Sequence, residues 1–287
     1  MKYKAYAKIN LGLDVIRKRE DGYHEVRMIM QNIGVHDVLD FEKTEIPGIT
    51  ISVNDSQLSA NEDNLIYKAA KLLMDEFGIK EGLSVSLTKN IPIAAGLAGG
   101  STDAAATFKA VNSLWNLGLS NEELRNRGVK IGADIPYCIM QGTAISEGIG
   151  EILTALPDCP PCYALIAKPP IGVSTKYVYE HLKINELVHP NIDGIIEAIN
   201  TRDIYLLADN LGNVLESVTI AEYPVIEDIK DIMKEKGAMN ALMSGSGPTV
   251  FGLFDDKDKL AVAAEAVRKS GLAKDVVETE LISVDKE

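Results

Sequence analysis

The feature that most constrains this chain is a glycine-rich segment that runs directly into a predicted helix. Residues 91–106 read IPIAAGLAGGSTDAAA, and from Ala104 the apolar residues recur at helical spacing through Phe108, Val111 and Trp115. Glycines let backbone N–H groups approach a ligand closely, and a helix start adds unpaired N–H groups and about half a positive charge. The segment therefore predicts a phosphate cradle. The alternative is a packing turn in which small residues let two elements approach.

The spacing of the glycines excludes two common nucleotide-binding motifs. No Gly-Lys-Ser/Thr follows, as it would in a Walker loop, and the spacing from Gly96 differs from the GxGxxG dinucleotide pattern. A second glycine turn, SGSGP at residues 244–248, precedes a predicted strand rather than a helix. We interpret this turn as backbone brought close to the same cleft, and the alternative is a plain tight hairpin.

The first strand carries two polar side chains on one face. Residues 3–13 alternate, with apolar side chains at the odd positions, so Lys8 and Asn10 are predicted to lie side by side on the opposite face. For a single strand we expect that face to be solvated.

Asp134 lies in the apolar segment GADIPYC. Alone it is typical of a turn or a helix-capping aspartate before a proline. If it meets Lys8, the carboxylate stays ionised and can accept a proton from a substrate hydroxyl.

Helical spacing and capping residues place the other elements. We predict a helix over residues 61–77, capped by Asn61 or Asn64 and ended by Gly78, with Phe77 in its apolar stripe. Another helix begins at a capping box of Ser120 and Glu123 and is closed by Gly132. Prolines at 157, 160 and 161 indicate a boundary between a domain of residues 1–157 and one of residues 158–287.

Composition limits the possible partners and the compartment. The 287 residues carry 29 basic and 42 acidic side chains, a net charge of −13, which argues against nucleic acid and anionic membranes as partners. No apolar run approaches the ~20 residues of a membrane span, and no targeting segment is visible. Three cysteines indicate reduced thiols and a cytoplasmic protein. The CPPC segment at residues 159–162 is expected to be inert, and the four histidines lack metal spacing.

Four segments in this order resemble the GHMP small-molecule kinases: AKINLGLDVIRKREDGYHE, IPIAAGLAGGSTDAAA, GADIPY and SGSGPTVF. The resemblance runs from about Lys2 to about Phe254. It implies a two-domain α+β fold with a ribosomal-S5-domain-2-like N-terminal domain that holds ATP and the catalytic residues. A ferredoxin-like C-terminal domain would bind the acceptor, with the active site in a cleft between the domains.

The resemblance also implies roles for individual residues. Lys8 and Asp134 match the catalytic pair, with Asp134 as base and Lys8 orienting and polarising. Acceptor binding is implied for Asn10, Tyr23, His24, Thr175 and Tyr179, although Tyr177 is an alternative to Tyr179 as the residue that stacks on the base. The ATP phosphate loop comprises Pro92, Ile93, Ala94, Ala95, Gly96, Leu97, Ala98, Gly99, Gly100, Ser101 and Thr102.

The implied reaction is transfer of phosphate from ATP, with Mg²⁺, to a small alcohol. The segment KREDGYHE favours a cytidylyl-methylerythritol acceptor over homoserine or mevalonate, and a non-catalytic nucleotide sensor is the remaining alternative. Relative to the usual loop, Ala94 and Ala98 replace glycines and Thr102 replaces a serine, which bears on ATP affinity because alanine tolerates positive φ poorly. The sequence leaves the metal ligands open, as well as the choice between monomer and homodimer.

Overall fold

The structure is a computed structural model that describes residues 1–55 and 58–284. Contacts divide the chain into two compact units, each assembled from separate stretches of sequence. The first unit contains Met1–Ala7, Val35–Ile91 and Ala98–Met140, and the second contains Lys8–Gly34, Pro92–Leu97 and Gln141–Glu287. The boundary at residues 157 and 158 stays a prediction.

The strands follow the alternating segments of the sequence, beginning with two long neighbours, β1 and β2, that have residues in both units. The strands are β1 (Lys2–Lys18), β2 (His24–Thr44), β3 (Ile49–Val53), β4 (Gly82–Thr88), β5 (Thr143–Gly148), β6 (Ile152–Ala155), β7 (Tyr163–Lys168), β8 (Gly212–Asn213), β9 (Asn240–Met243), β10 (Val250–Phe254) and β11 (Asp275–Glu280).

The helices occupy the segments with helical spacing. They are α1 (Leu65–Glu76), α2 (Gly99–Leu114), α3 (Asn121–Gly128), α4 (Ile135–Met140), α5 (Thr175–His181), α6 (Ile192–Thr201), α7 (Ile204–Asp209), α8 (Glu216–Glu222), α9 (Val225–Glu235) and α10 (Lys257–Ser270), with a short 3-10 turn at Ile184–Glu186. Among the residues the structure describes, no helix is both long enough and apolar enough to cross a bilayer.

In the first unit, β4 is the middle one of three strands. β3 runs parallel to β4 on one side, and β2 runs antiparallel to it on the other. Helix α2 contacts α1, α3 and α4, and most of its residues between Thr102 and Val111 are buried. The helix that follows the glycine segment is therefore the central helix of this unit.

In the second unit, four antiparallel strands form a sheet in the order β11-β7-β10-β9. Helices α9 and α10 pack on this sheet. Elsewhere in the unit, β8 pairs in parallel with β1, with Gly12 opposite Gly212. A Cβ on Gly12 would lie 2.6 Å from Cδ1 of Ile192 and of Ile195, so glycine lets α6 pack closely on the strand.

Most of the predicted helix limits are confirmed, and two details are wrong. Asn64 caps α1, and Ser120 and Glu123 form the capping box of α3. Phe77 is 40% exposed rather than part of the buried stripe. Helix α3 ends at Gly128 instead of continuing to Gly132, because the N–H groups of Lys130 and Ile131 bond three residues back, to Arg127 and Gly128, rather than four.

Candidate active site

Lys8 and Asn10 form a buried polar pair on β1. Lys8 is 4% exposed and Asn10 is fully buried, so the expectation of a solvated face is wrong. The Lys8 Nζ donates to Asn10 Oδ1 at 2.7 Å, and Asn10 Nδ2 lies 3.6 Å from Met28 Sδ. The Lys8 backbone N–H donates to the carbonyl of Leu97 at 3.2 Å, which brings the glycine segment against the strand.

The glycine segment is held in turn by the second glycine turn. Ser244 Oγ donates to the Gly96 carbonyl at 3.0 Å. Gly96 has φ +73°, and a Cβ there would lie 2.3 Å from the Ser244 carbonyl oxygen, so only glycine fits. The SGSGP turn is therefore both a hairpin connection between β9 and β10 and a support for residues 92–97.

Several backbone N–H groups of these two segments make no hydrogen bond within residues 1–55 and 58–284. They belong to Ala94, Gly96 and Leu97 in the glycine segment and to Gly245 and Ser246 in the turn. In the first unit, α2 begins at Gly99, so the amides of its first turn are likewise without helical partners. Free N–H donors of this kind are what a phosphate cradle requires.

Both alanines that replace glycines in the phosphate loop have positive φ. Ala94 has φ +50° and Ala98, the N-cap of α2, has φ +57°. A residue with a Cβ in this conformation costs roughly 1–2 kcal/mol, so the loop carries backbone strain at both positions.

Apart from Asn10 on β1, the predicted acceptor residues of the second unit lie on β2, its preceding turn and α5. The rings of His24 and Tyr179 are 5.1 Å apart and tilted by 39°, whereas Tyr177 stacks at 3.9 Å on His181 of its own helix. Tyr23 is 60% exposed. Burial, and to a lesser degree Lys18, lowers the pKa of His24, so its ring is neutral near pH 7.

Thr175 is the first residue of α5, and its hydroxyl lies 2.8 Å from Ser246 Oγ of the glycine turn. This contact links the helix of Tyr179 to the turn beside Lys8, because a Cβ on Gly245 would lie 3.7 Å from Lys8 Nζ. The second unit thus brings together Lys8, Asn10, Thr175, the turn and residues 92–97.

Asp134 belongs to the first unit and directly precedes α4. Its carbonyl accepts from the Cys138 N–H at 3.0 Å, and the residue is half-buried. The sequence interpretation of a helix-starting aspartate is compatible with this position. The meeting of Asp134 with Lys8 stays a prediction.

In the first unit, a buried ion-pair network at the start of α2 was not predicted from the sequence. Lys89 contacts Asp37 and donates to Asp103 Oδ2 at 2.8 Å, and all three side chains are at most 5% exposed. Asp37 Oδ1 accepts the N–H groups of Asn90 and Ile91 at 2.6 and 2.8 Å. Burial raises the pKa of Asp103 to about 7, although Lys89 opposes the shift. The network ties the chain entering the loop to α2.

No periodicity in the sequence marks this network, because its members are single polar residues on three separate elements. A Cβ on Gly99 would lie 2.9 Å from Lys89 Nζ, so the lysine reaches the first residue of α2. The only feature of the sequence that indicates the network is the pair formed by Lys89, just before the glycine segment, and Asp103, just after it.

The cysteines and the possible metal ligands add no second centre in the described residues. Burial raises the pKa of both Cys159 and Cys162 to about 12, as expected for inert thiols. Within residues 1–55 and 58–284, no three His, Cys, Asp or Glu side chains cluster as metal ligands.

Comparisons with known proteins support the family that the four sequence segments indicate. Residues 64–142 match the GHMP kinases N terminal domain, and residues 195–273 match the GHMP kinases C terminal domain. A solved structure of a 4-(cytidine 5'-diphospho)-2C-methyl-D-erythritol kinase has a TM-score of 0.85 and 30% identity, covering 99% of this chain and 100% of that one. A homoserine kinase from Cytophaga hutchinsonii has a TM-score of 0.73 at 19% identity, covering 97% and 94%, which shows the shared fold alone.

Curated relatives define the branch of the family. The 4-diphosphocytidyl-2-C-methyl-D-erythritol kinase of Lachnospira eligens is 53% identical over 281 residues, 98% of each chain. The enzyme of the same name from Lachnoclostridium phytofermentans is 56% identical over 255 residues, 88% of each chain. The expected α+β kinase fold is confirmed, and the chain belongs to the GHMP kinases, in the branch of the 4-diphosphocytidyl-2-C-methyl-D-erythritol kinases.

Proposed function

We propose that this chain transfers the γ-phosphate of ATP to the 2-hydroxyl of 4-diphosphocytidyl-2-C-methyl-D-erythritol. The products are the 2-phosphate and ADP, and the reaction belongs to non-mevalonate isoprenoid precursor synthesis. The observation that carries the proposal is 53% identity, over 98% of both chains, to a relative named for this activity. The buried lysine beside a glycine segment with free N–H groups supports the same chemistry.

Residues 92–102 are proposed to hold the triphosphate of ATP. The unbonded amides of Ala94, Gly96 and Leu97 and the first amides of α2 donate to phosphate oxygens. The network of Asp37, Lys89 and Asp103 fixes the chain on either side of this segment. Phosphoryl transfer depends mainly on positioning and charge stabilisation, which a rigid loop supplies.

Lys8 and Asp134 are proposed to act on the reacting groups. A bond forms between the acceptor oxygen and the γ-phosphorus as the bond from that phosphorus to the β,γ-bridging oxygen breaks. ADP leaves with the electron pair, and the hydroxyl proton passes to the Asp134 carboxylate. The Lys8 ammonium, oriented by Asn10, offsets negative charge on the transferred group.

The acceptor is proposed to bind through Asn10, Tyr23, His24, Thr175 and Tyr179. Tyr23 and Tyr179 would sandwich the cytosine, with His24 reading the edge of the base. The contact between the His24 and Tyr179 rings favours Tyr179 over Tyr177, whose ring is stacked on His181. Asn10 and Thr175 would contact the methylerythritol.

Mg²⁺ is proposed as the metal partner of ATP. When bound, it neutralises the triphosphate, and it commonly relies on phosphates with only one or two protein ligands. That donor chemistry fits a chain whose described residues lack a cluster of three acidic, His or Cys ligands. Ser101 would supply a hydroxyl, since its Oγ has no hydrogen-bond partner among the described residues.

One acceptor panel tests the proposal. ADP formation is measured with ATP, Mg²⁺ and, separately, 4-diphosphocytidyl-2-C-methyl-D-erythritol, homoserine or mevalonate, and ³¹P NMR identifies the phosphorylated product. We expect turnover only with the cytidylyl acceptor. Turnover of homoserine or mevalonate instead would assign another branch of the family. ATP binding without turnover of any acceptor would indicate a nucleotide sensor.

A further inference from the structure

We propose that Asn213 is a positioning residue that presents two free N–H groups of the glycine turn, beside Lys8, to a phosphate oxygen of a substrate. The turn in question is Ser244–Gly245–Ser246–Gly247. This inference rests on the proposed kinase function and adds a second anion-binding element to the phosphate loop.

The side-chain amide of Asn213 is fully hydrogen-bonded, and its Nδ2 group holds this turn. Its Nδ2 donates to the carbonyls of Met243 and Gly245, both at 2.8 Å. Its Oδ1 accepts the Leu215 N–H at 3.0 Å, and the residue is only 8% exposed. Asn213 also lies opposite Leu13 in the pairing of β8 with β1. The side chain therefore connects the turn to the strand that carries Lys8.

All four carbonyl groups from Met243 to Ser246 are engaged. Asn213 takes those of Met243 and Gly245, the Gly247 N–H donates to that of Ser244 at 3.0 Å, and Thr219 Oγ1 lies 3.3 Å from that of Ser246. The N–H groups of Gly245 and Ser246 have no acceptor among the described residues. The turn consequently offers free backbone N–H donors, whereas its backbone carbonyl acceptors are already hydrogen-bonded.

The backbone conformation brings the two free amides into succession. Gly245 has φ +58° and Gly247 has φ +84°. Consecutive N–H groups in turns that include a left-handed residue form concave sites for anions. Since buried N–H groups in proteins are almost always paired, the amide of Ser246, a residue only 7% exposed, is a donor in need of an acceptor.

The positive charge of Lys8 and the hydroxyl groups around the turn favour an anionic ligand. A Cβ on Gly245 would lie 3.7 Å from Lys8 Nζ and 3.6 Å from Asn10 Oδ1. The hydroxyls of Ser246 and Thr175 add further donors, 2.8 Å from each other. The neighbouring carboxylate, Glu216, is committed to the Met243 N–H at 2.8 Å and to Lys230 at 2.9 Å. Two amides, hydroxyls and one ammonium match a phosphate oxygen, from either ATP or the diphosphate of the acceptor.

The first test is Asn213→Asp with Asn240→Asp as its matched control. The carboxylate keeps the acceptor for Leu215 but replaces both donors with an oxygen that repels the carbonyls of Met243 and Gly245. Asn240 has the same chemistry away from the turn, since its Nδ2 donates to Ala208 at 2.7 Å and its Oδ1 accepts from Ala241 at 2.8 Å. Both variants are expected to lower the thermal midpoint.

Only Asn213→Asp should reduce kcat/KM, by about ten-fold or more, the effect of misplacing charge-assisted hydrogen bonds. A rise confined to the KM of the acceptor assigns its diphosphate to the turn, whereas a rise in the KM of ATP or a lower kcat assigns the ATP phosphate. Equal losses of kcat/KM in the two variants, or no loss in either, overturn the proposal.

A gentler variant keeps the test decisive if Asn213→Asp fails to fold. Thr219→Val removes only the hydroxyl next to the Ser246 carbonyl and keeps the side-chain volume, so it should shift the same kinetic parameter by a few-fold. An unchanged parameter in the folded Thr219→Val protein, with no binding signal in the following experiment, would also refute the proposal.

Binding can be measured independently of turnover. In ¹⁵N-glycine-labelled wild-type protein, the Gly245 amide resonance, assigned by its loss in Gly245→Ala, should move on titration with ATP or with pyrophosphate. The acceptor panel reports separately on the proposed function. Movement of Gly245 without turnover would therefore reject the kinase activity while supporting the anion site, and a static Gly245 resonance with both probes would reject the site.

Discussion

The Nζ of Lys8 donates to Oδ1 of Asn10 at 2.7 Å, and both side chains are buried. The two residues are neighbours on one face of β1, so the strand itself sets their spacing. The Asn10 side chain holds this buried ammonium in place on the strand. This arrangement suits a lysine that stabilises a phosphoryl group.

Replacing the lysine tests that role. In Lys8→Met, kcat should fall at least ~100-fold because charge on the transferred group is no longer offset. The fold should survive with a loss of ~1–3 kcal/mol in the free energy of unfolding, since Asn10 Oδ1 loses its donor. Lys4→Met, at an exposed position on the same face of the strand, is the control and should retain activity. A wild-type rate in Lys8→Met would remove Lys8 from the reaction.

Asp134→Asn should slow phosphoryl transfer without weakening nucleotide binding. The amide cannot accept the hydroxyl proton, so kcat should fall at least ~100-fold while the Kd for ATP stays nearly unchanged. Steady-state turnover and calorimetric ATP titration measure the two quantities. Asp256→Asn, at the N-cap of α10, keeps a capping side chain and should leave both unaffected. Full turnover in Asp134→Asn would show that another group takes the proton.

The two tyrosines of α5 should differ in their effect on acceptor binding. Tyr179→Ala is expected to raise the KM of the cytidylyl acceptor by about ten-fold, because base–aromatic stacking is worth ~1–3 kcal/mol. Tyr177→Ala is the matched control and should change this KM little, since its ring already stacks on His181. The opposite ranking of the two variants would move the cytosine contact to Tyr177.

The strained alanine at the start of α2 predicts a stabilising glycine. Ala98→Gly should raise the free energy of unfolding by up to about 1.5 kcal/mol, because it relieves ~1–2 kcal/mol of strain, against a cost of ~0.5–1 kcal/mol from the greater entropy of the unfolded chain. Ala261→Gly, at an exposed position inside α10, should lower it by about 1 kcal/mol. Urea unfolding measures both, and a loss of stability in Ala98→Gly would contradict the positive φ of that residue.

The CPPC thiols should resist alkylation in the folded protein. At pH 8, a pKa of about 12 leaves roughly one thiol in ten thousand ionised at Cys159 and at Cys162, and both side chains are buried. Iodoacetamide followed by mass spectrometry should therefore find these cysteines unmodified unless the chain is first unfolded in urea. Rapid labelling of either residue in the native protein would show that the segment is accessible.

Local patterns predicted several elements of the fold. Alternation predicted β1, and the capping residues Asn64 and Ser120 predicted the starts of α1 and α3, because these signals act within a few residues. The end of α3 was misjudged: the amides of Lys130 and Ile131 bond three residues back, and Gly128 itself packs against Ile135, where a Cβ would come within 2.6 Å. That contact depends on the next helix and has no local signal.

The burial of the polar face of β1 could not be predicted from alternation. Lys8 and Asn10 are covered by segments that lie far along the chain, including Leu97 and Gly245. Asn213 was missed for the same reason, because an asparagine in a short strand carries no mark of the carbonyls to which it donates. Pairing partners that are distant in sequence are visible only in the folded chain.

The contact between Gly96 and Ser244 has a consequence for the growing polypeptide. Ser244 is synthesised almost 150 positions after the glycine it supports, since their hydrogen bond spans 148 residues. Until the ribosome has released that stretch, residues 92–97 lack the backbone against which they pack. A nascent chain stalled before Ser244 would thus contain every residue of the nucleotide-binding segment without the folded conformation of that segment. The ability to bind ATP should therefore arise late in translation.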